Sequence, residues 1–355
     1  MTGLPLWLLL VLFVAAAAVI WIAGIQLSKS TDVLDARLHL GSALGGLIVL
    51  AIATNLPEIA ITVTAAASGS VEIAVGNILG GIALQTVVIV ILDRFGRRGR
   101  GVPPLTYRAA SLGLVVEALV VIAVLSVVVA GTQLPKDLDL ARFTPQAVLI
   151  AAAWVVGLFL VRRAGHHLPW RLESDSSDHA ATGTRAGRSS SSGSSKQSTS
   201  TGRAALVFSA AALATLVAGY VLEQSGDAAS SKVGLSGILF GATVLALATS
   251  LPEISTGLQA IRQGDDTLAI SDIFGGNAFL PVLFLVAGLI SGQAVLPRAQ
   301  ASDIYLTAVA ALLTAVYAFG LILRPRRRVL GMGVDSLVVL LLYLVGVAGL
   351  FALAT

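Results

Sequence analysis

Two glutamates, Glu58 and Glu253, each follow a proline inside an apolar run: Ala53-Thr54-Asn55-Leu56-Pro57-Glu58 and Ala248-Thr249-Ser250-Leu251-Pro252-Glu253. An acid at bilayer depth costs about 3 kcal/mol on insertion scales, and such groups mark ion pathways and proton relays. The chemistry on offer is cation binding by oxygen. Hard cations such as Na+ and Ca2+ take oxygen ligands, which the two carboxylates can supply. Proline removes a backbone donor and breaks the helix at that level. Two such breaks at matched places in a chain point to one paired ion site at mid-membrane.

The chain that must position these acids has 355 residues, 56% of them hydrophobic and 12% charged. Soluble domains carry about 25% charged residues, so the composition reads as a polytopic helical membrane protein. There is no cysteine, which excludes disulfides and thiolate metal sites. None of His39, His166, His167 and His179 pairs with a second His and a carboxylate at zinc-ligand spacing. No His-Glu-x-x-His, intramembrane Ser/His pair or Gly-x-Gly-Asp argues for an intramembrane enzyme. A cation channel is a distant alternative, because the apolar runs hold few polar residues outside the two motifs.

Ten spans of about the 20 residues a bilayer requires are predicted at 5–27, 40–66, 71–92, 109–131, 146–162, 204–223, 234–261, 267–292, 303–323 and 333–354. The apolar run at the N-terminus lacks a basic region before it and reads as a retained span. The second, third, seventh and eighth spans are rich in Gly, Ser, Thr and Asn and carry Pro, as expected of broken, closely packed helices. Of the Lys and Arg residues, 19 fall in odd-to-even connections and 4 in the others. The positive-inside rule therefore makes the odd-to-even loops cytoplasmic and puts both termini outside, in the cell membrane. The net charge of +4 thus reports membrane orientation and not nucleic-acid binding. The Ser-rich stretch at 164–203 is a flexible cytoplasmic linker between a first half, 1–163, and a second, 204–355.

The halves align at a constant offset of 195: Gly46 with Gly241, Thr54 with Thr249, Pro57 with Pro252, Glu58 with Glu253, Gly69 with Gly264, Asn77 with Asp272, and Gly80-Gly81 with Gly275-Gly276. Five spans is an odd number, so the second copy enters the membrane from the opposite face. The expected fold is an all-α membrane protein of ten transmembrane helices in two inverted five-helix repeats, with broken helices at the motifs.

Thr54-Asn55-Leu56-Pro57-Glu58 with Gly76-Asn77-Ile78-Leu79-Gly80-Gly81 resembles the first alpha-repeat of the sodium/calcium exchanger and cation/calcium antiporter superfamily. Thr249-Ser250-Leu251-Pro252-Glu253 with Asp272-Ile273-Phe274-Gly275-Gly276-Asn277 resembles the second. The resemblance implies a secondary antiporter that exchanges Ca2+ or a related cation against Na+ or H+ by alternating access. A sodium/proton or other monovalent cation/proton exchanger is the alternative. It implies Glu58 and Glu253 as core metal ligands, with Thr54, Asn55, Thr249 and Ser250, the carbonyls of Ala51 and Ala246, and Asn77, Gln85, Asn277 and Asp272 around them. It also makes the spans at 5–27 and 204–223 candidates for a sliding gate. No cofactor is implied beyond the transported cations, and the partners are inorganic cations and the lipid bilayer.

The chain departs from the family pattern in several places. The usual Gly-Ser-Asn is Gly80-Gly81-Ile82 and Gly275-Gly276-Asn277, so both serine hydroxyls are missing. Gln85 stands where Asn is usual, and Leu280 where calcium-transporting members often have Asp. Asp272 replaces the usual Asn, and reads either as a third acid near the site or as a helix-start carboxylate facing water. Elsewhere, Glu117 in the fourth span reads as an interhelical hydrogen-bond partner. Glu72, Asp265, Asp266 and Asp335 read as helix-start caps, and Trp7, Trp21, Trp154 and Trp170 as interface or packing anchors.

Overall fold

A computed structural model describes residues 3–38, 45–69, 71–96, 99, 101–134, 144–167, 201–233 and 246–354. The helices are α1 (Leu6–Leu38), α2 (Gly45–Thr54), α3 (Leu56–Ala67), α4 (Val71–Phe95), α5 (Leu105–Ala109), α6 (Leu112–Thr132) and α7 (Pro145–His167). They continue as α8 (Thr201–Val233), α9 (Ala246–Thr249), α10 (Leu251–Gln263), α11 (Asp266–Phe279), α12 (Leu283–Ser291), α13 (Ala301–Leu323) and α14 (Val334–Ala354). A single hairpin of two-residue strands, Arg328–Val329 and Met332–Gly333, joins α13 to α14. Among the described residues seven spans are long and apolar enough to cross a membrane, and the bent pair α2–α3 makes an eighth.

Both motif breaks are present. Helices α2 and α3 meet at Asn55 with a bend of 60°. Pro57 lies in the first turn of α3, where its missing N–H would otherwise have bonded back across the break. Ser250 separates α9 from α10 in the same way, with Pro252 in the first turn of α10. The seventh predicted span begins outside the described residues, as does almost all of the Ser-rich connection and Trp170.

Helices α4 and α11–α12 form the spine: 78% and 61% of their apolar windows are buried, against 28% for α1 and 28% for α8. Around the spine Val75, Ile78, Ile82, Ile89, Val121, Leu125, Phe274, Phe284 and Tyr317 build the main core. Helices α1 and α8 pack along each other outside it, through Ala16, Ile20, Ala218 and Leu222 at one level and Leu9 and Ala228 at another. Both run well past their expected ends at 27 and 223. Polar residues follow there, which set those expected ends, but the helix does not stop. Ser30 and Thr31 fold their hydroxyls onto the Leu27 carbonyl, and Ser225 and Ser230 do the same on α8, so these side chains are satisfied inside a helix.

The two outer helices grip the motif prolines crosswise. Gly24 on α1 lies against Pro252, where an added Cβ would come within 3.2 Å of the proline Cα. Gly219 on α8, offset from Gly24 by the same 195 positions, lies against Pro57, with its Cα and Cβ at 2.8 Å from such a Cβ. At Gly219 only glycine permits the approach, and at Gly24 a larger side chain would force Pro252 and Ser255 to shift.

Ion pairs lock the starts of the second motif helices to the opposite half. Arg108 makes a two-pronged pair with Asp266, at 2.9 and 3.0 Å. Arg298 pairs with Glu72 at 2.9 Å. All four acids expected as caps stand at helix starts: Glu72, Asp266 and Asp335 in first turns, and Asp265 as the N-cap of α11, accepting from the Leu268 N–H at 2.9 Å. Asp266 and Glu72 also reach across to arginines, which a local reading cannot see. Asp335 is buried in the first turn of α14 and accepts the Thr106 hydroxyl at 2.5 Å. Beside it Asp93, which drew no attention in the sequence, accepts from the Leu105 and Gly333 N–H groups and from Ser336.

Candidate cation-binding site

The helix breaks bring the polar residues of both halves into one buried cluster. Glu58 and Glu253 are each 1% exposed, from the first turns of α3 and α10. Glu253 lies within electrostatic reach of Glu58 and of Asp272. One Glu58 oxygen, Oε1, accepts from Gln85 at 3.4 Å, and the Thr249 hydroxyl lies alongside the same carboxylate. Among the described residues, its other oxygen and both oxygens of Glu253 have no hydrogen-bond donor. Buried carboxylate oxygens without donors are costly unless a positive charge joins them.

Asp272 is also 1% exposed, in the middle of α11, so the water-facing reading is corrected. The helix starts at Asp266, nearly two turns earlier, which is why charge alone misplaced Asp272. Thr256 donates to its Oδ2 at 2.7 Å, and Thr54 approaches its Oδ1 at 3.3 Å. The two hydroxyls come from different halves. Thr256 was not among the expected residues; it lies one turn after Glu253, and that spacing is the signal that could have found it.

The remaining expected residues are in the same neighbourhood, in graded positions. Asn55 is fully buried and donates to the Ala51 carbonyl at 2.7 Å, while its Oδ1 accepts from Gln85 at 2.9 Å. Asn77 donates to the Glu58 carbonyl and to Thr62, tying α4 to the motif turn rather than to a carboxylate. Asn277 donates to Thr86 at 3.0 Å and keeps a buried Oδ1 without a partner. Thr249 and Ser250 are buried at the second break, and Ala246 opens α9 one turn before it. Leu280 is buried and carries no donor or acceptor into the site.

Among the described residues no group of three or more His, Cys, Asp or Glu has the geometry of a ready-made metal centre. What the cluster offers is one glutamate partly held by Gln85, a second whose oxygens have no donor among the described residues, an aspartate held by hydroxyls, and amides on one flank. Glu117 stands apart: Ser271 donates to it at 2.5 Å, between α6 and α11, as expected of an interhelical partner. It is the acid in the wall of an apolar crevice lined by Ile48, Ile52, Trp154 and Phe274, on the far side of α2.

Comparison with known proteins bears on the family and the fold. A protein of Alkalimonas amylolytica named as the antiporter CaxA is 26% identical over 294 residues, covering 82% of this chain and 84% of that one. The solved structure of the sodium-calcium exchanger NCX_Mj superposes with a TM-score of 0.64 at 14% identity, covering 97% of this chain and 99% of that one. The H+/Ca2+ exchanger CAX superposes with a TM-score of 0.64 at 12% identity, over 97% and 82%. At those identities the two structures speak for the fold. The family described as sodium/calcium exchanger protein matches residues 8–163 and 203–352, which include both motifs and the cluster acids Glu58, Glu253 and Asp272. The chain is therefore a member of the sodium/calcium exchanger protein family, a multi-pass membrane transporter.

Proposed function

We propose that this chain exchanges Ca2+ or a related divalent cation for Na+ or H+ by alternating access, and that Glu58, Glu253 and Asp272 hold the cation. The observation that carries the reading is the pair of buried glutamates, three of whose four carboxylate oxygens have no donor among the described residues. Two close carboxylates out of water each disfavour the other's charge. A divalent ion, or Na+ and protons in its place, relieves that. One set of ions must replace the other before the site faces the opposite side, and this is the coupling. Thr54, Thr249, Ser250 and Asn277 supply further oxygens, and hard-cation chemistry suits them all. The name of CaxA favours antiport, and those of the sodium-calcium exchanger NCX_Mj and the H+/Ca2+ exchanger CAX favour calcium with either counter-ion. A monovalent cation/proton exchanger is the second reading, favoured by Leu280, which places no carboxylate where one would strengthen a divalent site.

The full topology belongs to the same proposal: ten helices in two inverted five-helix repeats, cut by the linker at 164–203, with both termini outside. Two features support it. The grips of Gly24 on Pro252 and Gly219 on Pro57 are related by the repeat offset. Each inter-half ion pair also joins residues that the topology puts on one side: Arg108 with Asp266 inside, and Glu72 with Arg298 outside.

The test is uptake of radioactive Ca2+ into liposomes carrying the purified protein, driven by a Na+ gradient or by a pH gradient. Wild type takes up Ca2+ under one of them, and Glu253→Gln loses at least about tenfold of the rate, equivalent to ~1.4 kcal/mol. Equal uptake by wild type and Glu253→Gln would sink the assignment. Proton-coupled Na+ flux without Ca2+ uptake would select the second reading.

A further inference from the structure

The two halves treat matched positions differently. In the first half Asn55 is wedged on three sides. Its Nδ2 donates to the Ala51 carbonyl at 2.7 Å, its Oδ1 accepts from Gln85 at 2.9 Å, and it presses on Gly276 of the second half, where an added Cβ would lie 2.5 Å from Nδ2. Gln85 reaches on to Glu58 at 3.4 Å. Asn55 and Gln85 are 0% and 1% exposed.

In the second half the corresponding residues are Ser250, Gly81 and Leu280. Serine is smaller than asparagine, and leucine donates nothing. A Cβ on Gly81 would meet nothing within 4 Å, although Gly81 is buried. So one flank of the site is filled by amides, whereas the matched flank has room at Gly81, and among the described residues neither oxygen of Glu253 has a hydrogen-bond donor.

An amide nitrogen is a donor and cannot ligate a cation. Its N–H groups here point at a carbonyl and a carboxylate, the same oxygens that a cation would use. We propose that Asn55 and Gln85 form a fixed amide plug that fills one of two matched cation places, so that the site loads its cation on the Glu253 side and carries fewer monovalent ions per cycle than an unplugged site. This rests on the reading of Glu58 and Glu253 as cation ligands. It makes Asn55 and Gln85 determinants of ion number, and Gly276 the hole that admits the plug.

The experiment uses the full chain in liposomes, with Ca2+ as the probe and whichever of Na+ or H+ drives its uptake. Converting the first half to the pattern of the second, Asn55→Ser with Gln85→Leu, is expected to steepen the dependence on the counter-ion, read as a higher Hill coefficient. Gly276→Ser alone is expected to fail by collision with Asn55. Adding Asn55→Ser should recover about tenfold of the rate, as coupled neighbours do. If the double variant does not assemble, the rescue of Gly276→Ser decides. An unchanged Hill coefficient in an active Asn55→Ser, Gln85→Leu protein, or no rescue of Gly276→Ser, overturns the plug. Failure of the parent reading is distinct, since it shows as undiminished transport by Glu253→Gln.

Discussion

At the scale of single residues, Asp272 carries the most chemistry that a local reading could misplace. Its carboxylate is held by Thr54 from one half and Thr256 from the other, so it registers the approach of both. Replacing it with Asn keeps the size and removes the charge. Competition between Ca2+ and Na+ for uptake by Asp272→Asn should then show divalent preference reduced about tenfold, ~1.4 kcal/mol; an unchanged preference would mean that Asp272 only organises the hydroxyls. Thr256→Val should lower thermal stability by about 1–3 kcal/mol, the cost of a buried acceptor left unmet. The two glutamates were legible because an acid placed after a proline in an apolar run is costly in a bilayer and so marks a buried charge with work to do. Asp272 was legible as a motif departure but not as buried, because burial depends on where α11 begins. Asp93 was illegible: an acid next to Arg94 at the end of an apolar run looks like a loop boundary, and its three donors come from distant segments.

At the scale of elements, the contacts that organise the site are made by small residues and by helix ends. Gly219→Val on α8 would drive a branched side chain into Pro57, with the first added carbon already 2.8 Å from the ring. Exchange should be lost while the protein still inserts and retains its helical circular dichroism; normal flux from Gly219→Val would remove α8 from any part in gating. The Arg108–Asp266 pair is only 11% exposed on each side. Breaking such a pair from one side leaves a charge stranded, so Arg108→Ala should cost more than the double replacement, and a double-mutant cycle on melting should read a coupling of about 1–3 kcal/mol. These long-range partners are where reading the chain in order fell short. Periodicity and charge locate a helix, but which arginine meets which acid is decided by the crossing of α5 with α11, and no spacing in the sequence encodes it.

At the scale of the whole molecule, the polytopic helical character was legible because composition sums a weak signal over many residues, and the repeat offset and charge asymmetry propose a topology in the same way. The absence of cysteine makes that topology directly measurable. A single cysteine replacing Leu134, which is exposed, should react with an impermeant maleimide on intact cells. One replacing Ser191 should react only after the cells are opened, and the reverse pattern would invert the orientation. The crosswise grip of Gly24 on Pro252 and of Gly219 on Pro57 has a further consequence. Each half lends a groove to the other's kink. If the gene were severed within the Ser-rich stretch, the separate products would be two unfinished shells. Only a cell making both together could assemble a working exchanger, and covalent continuity would matter less than meeting the right mate in the bilayer.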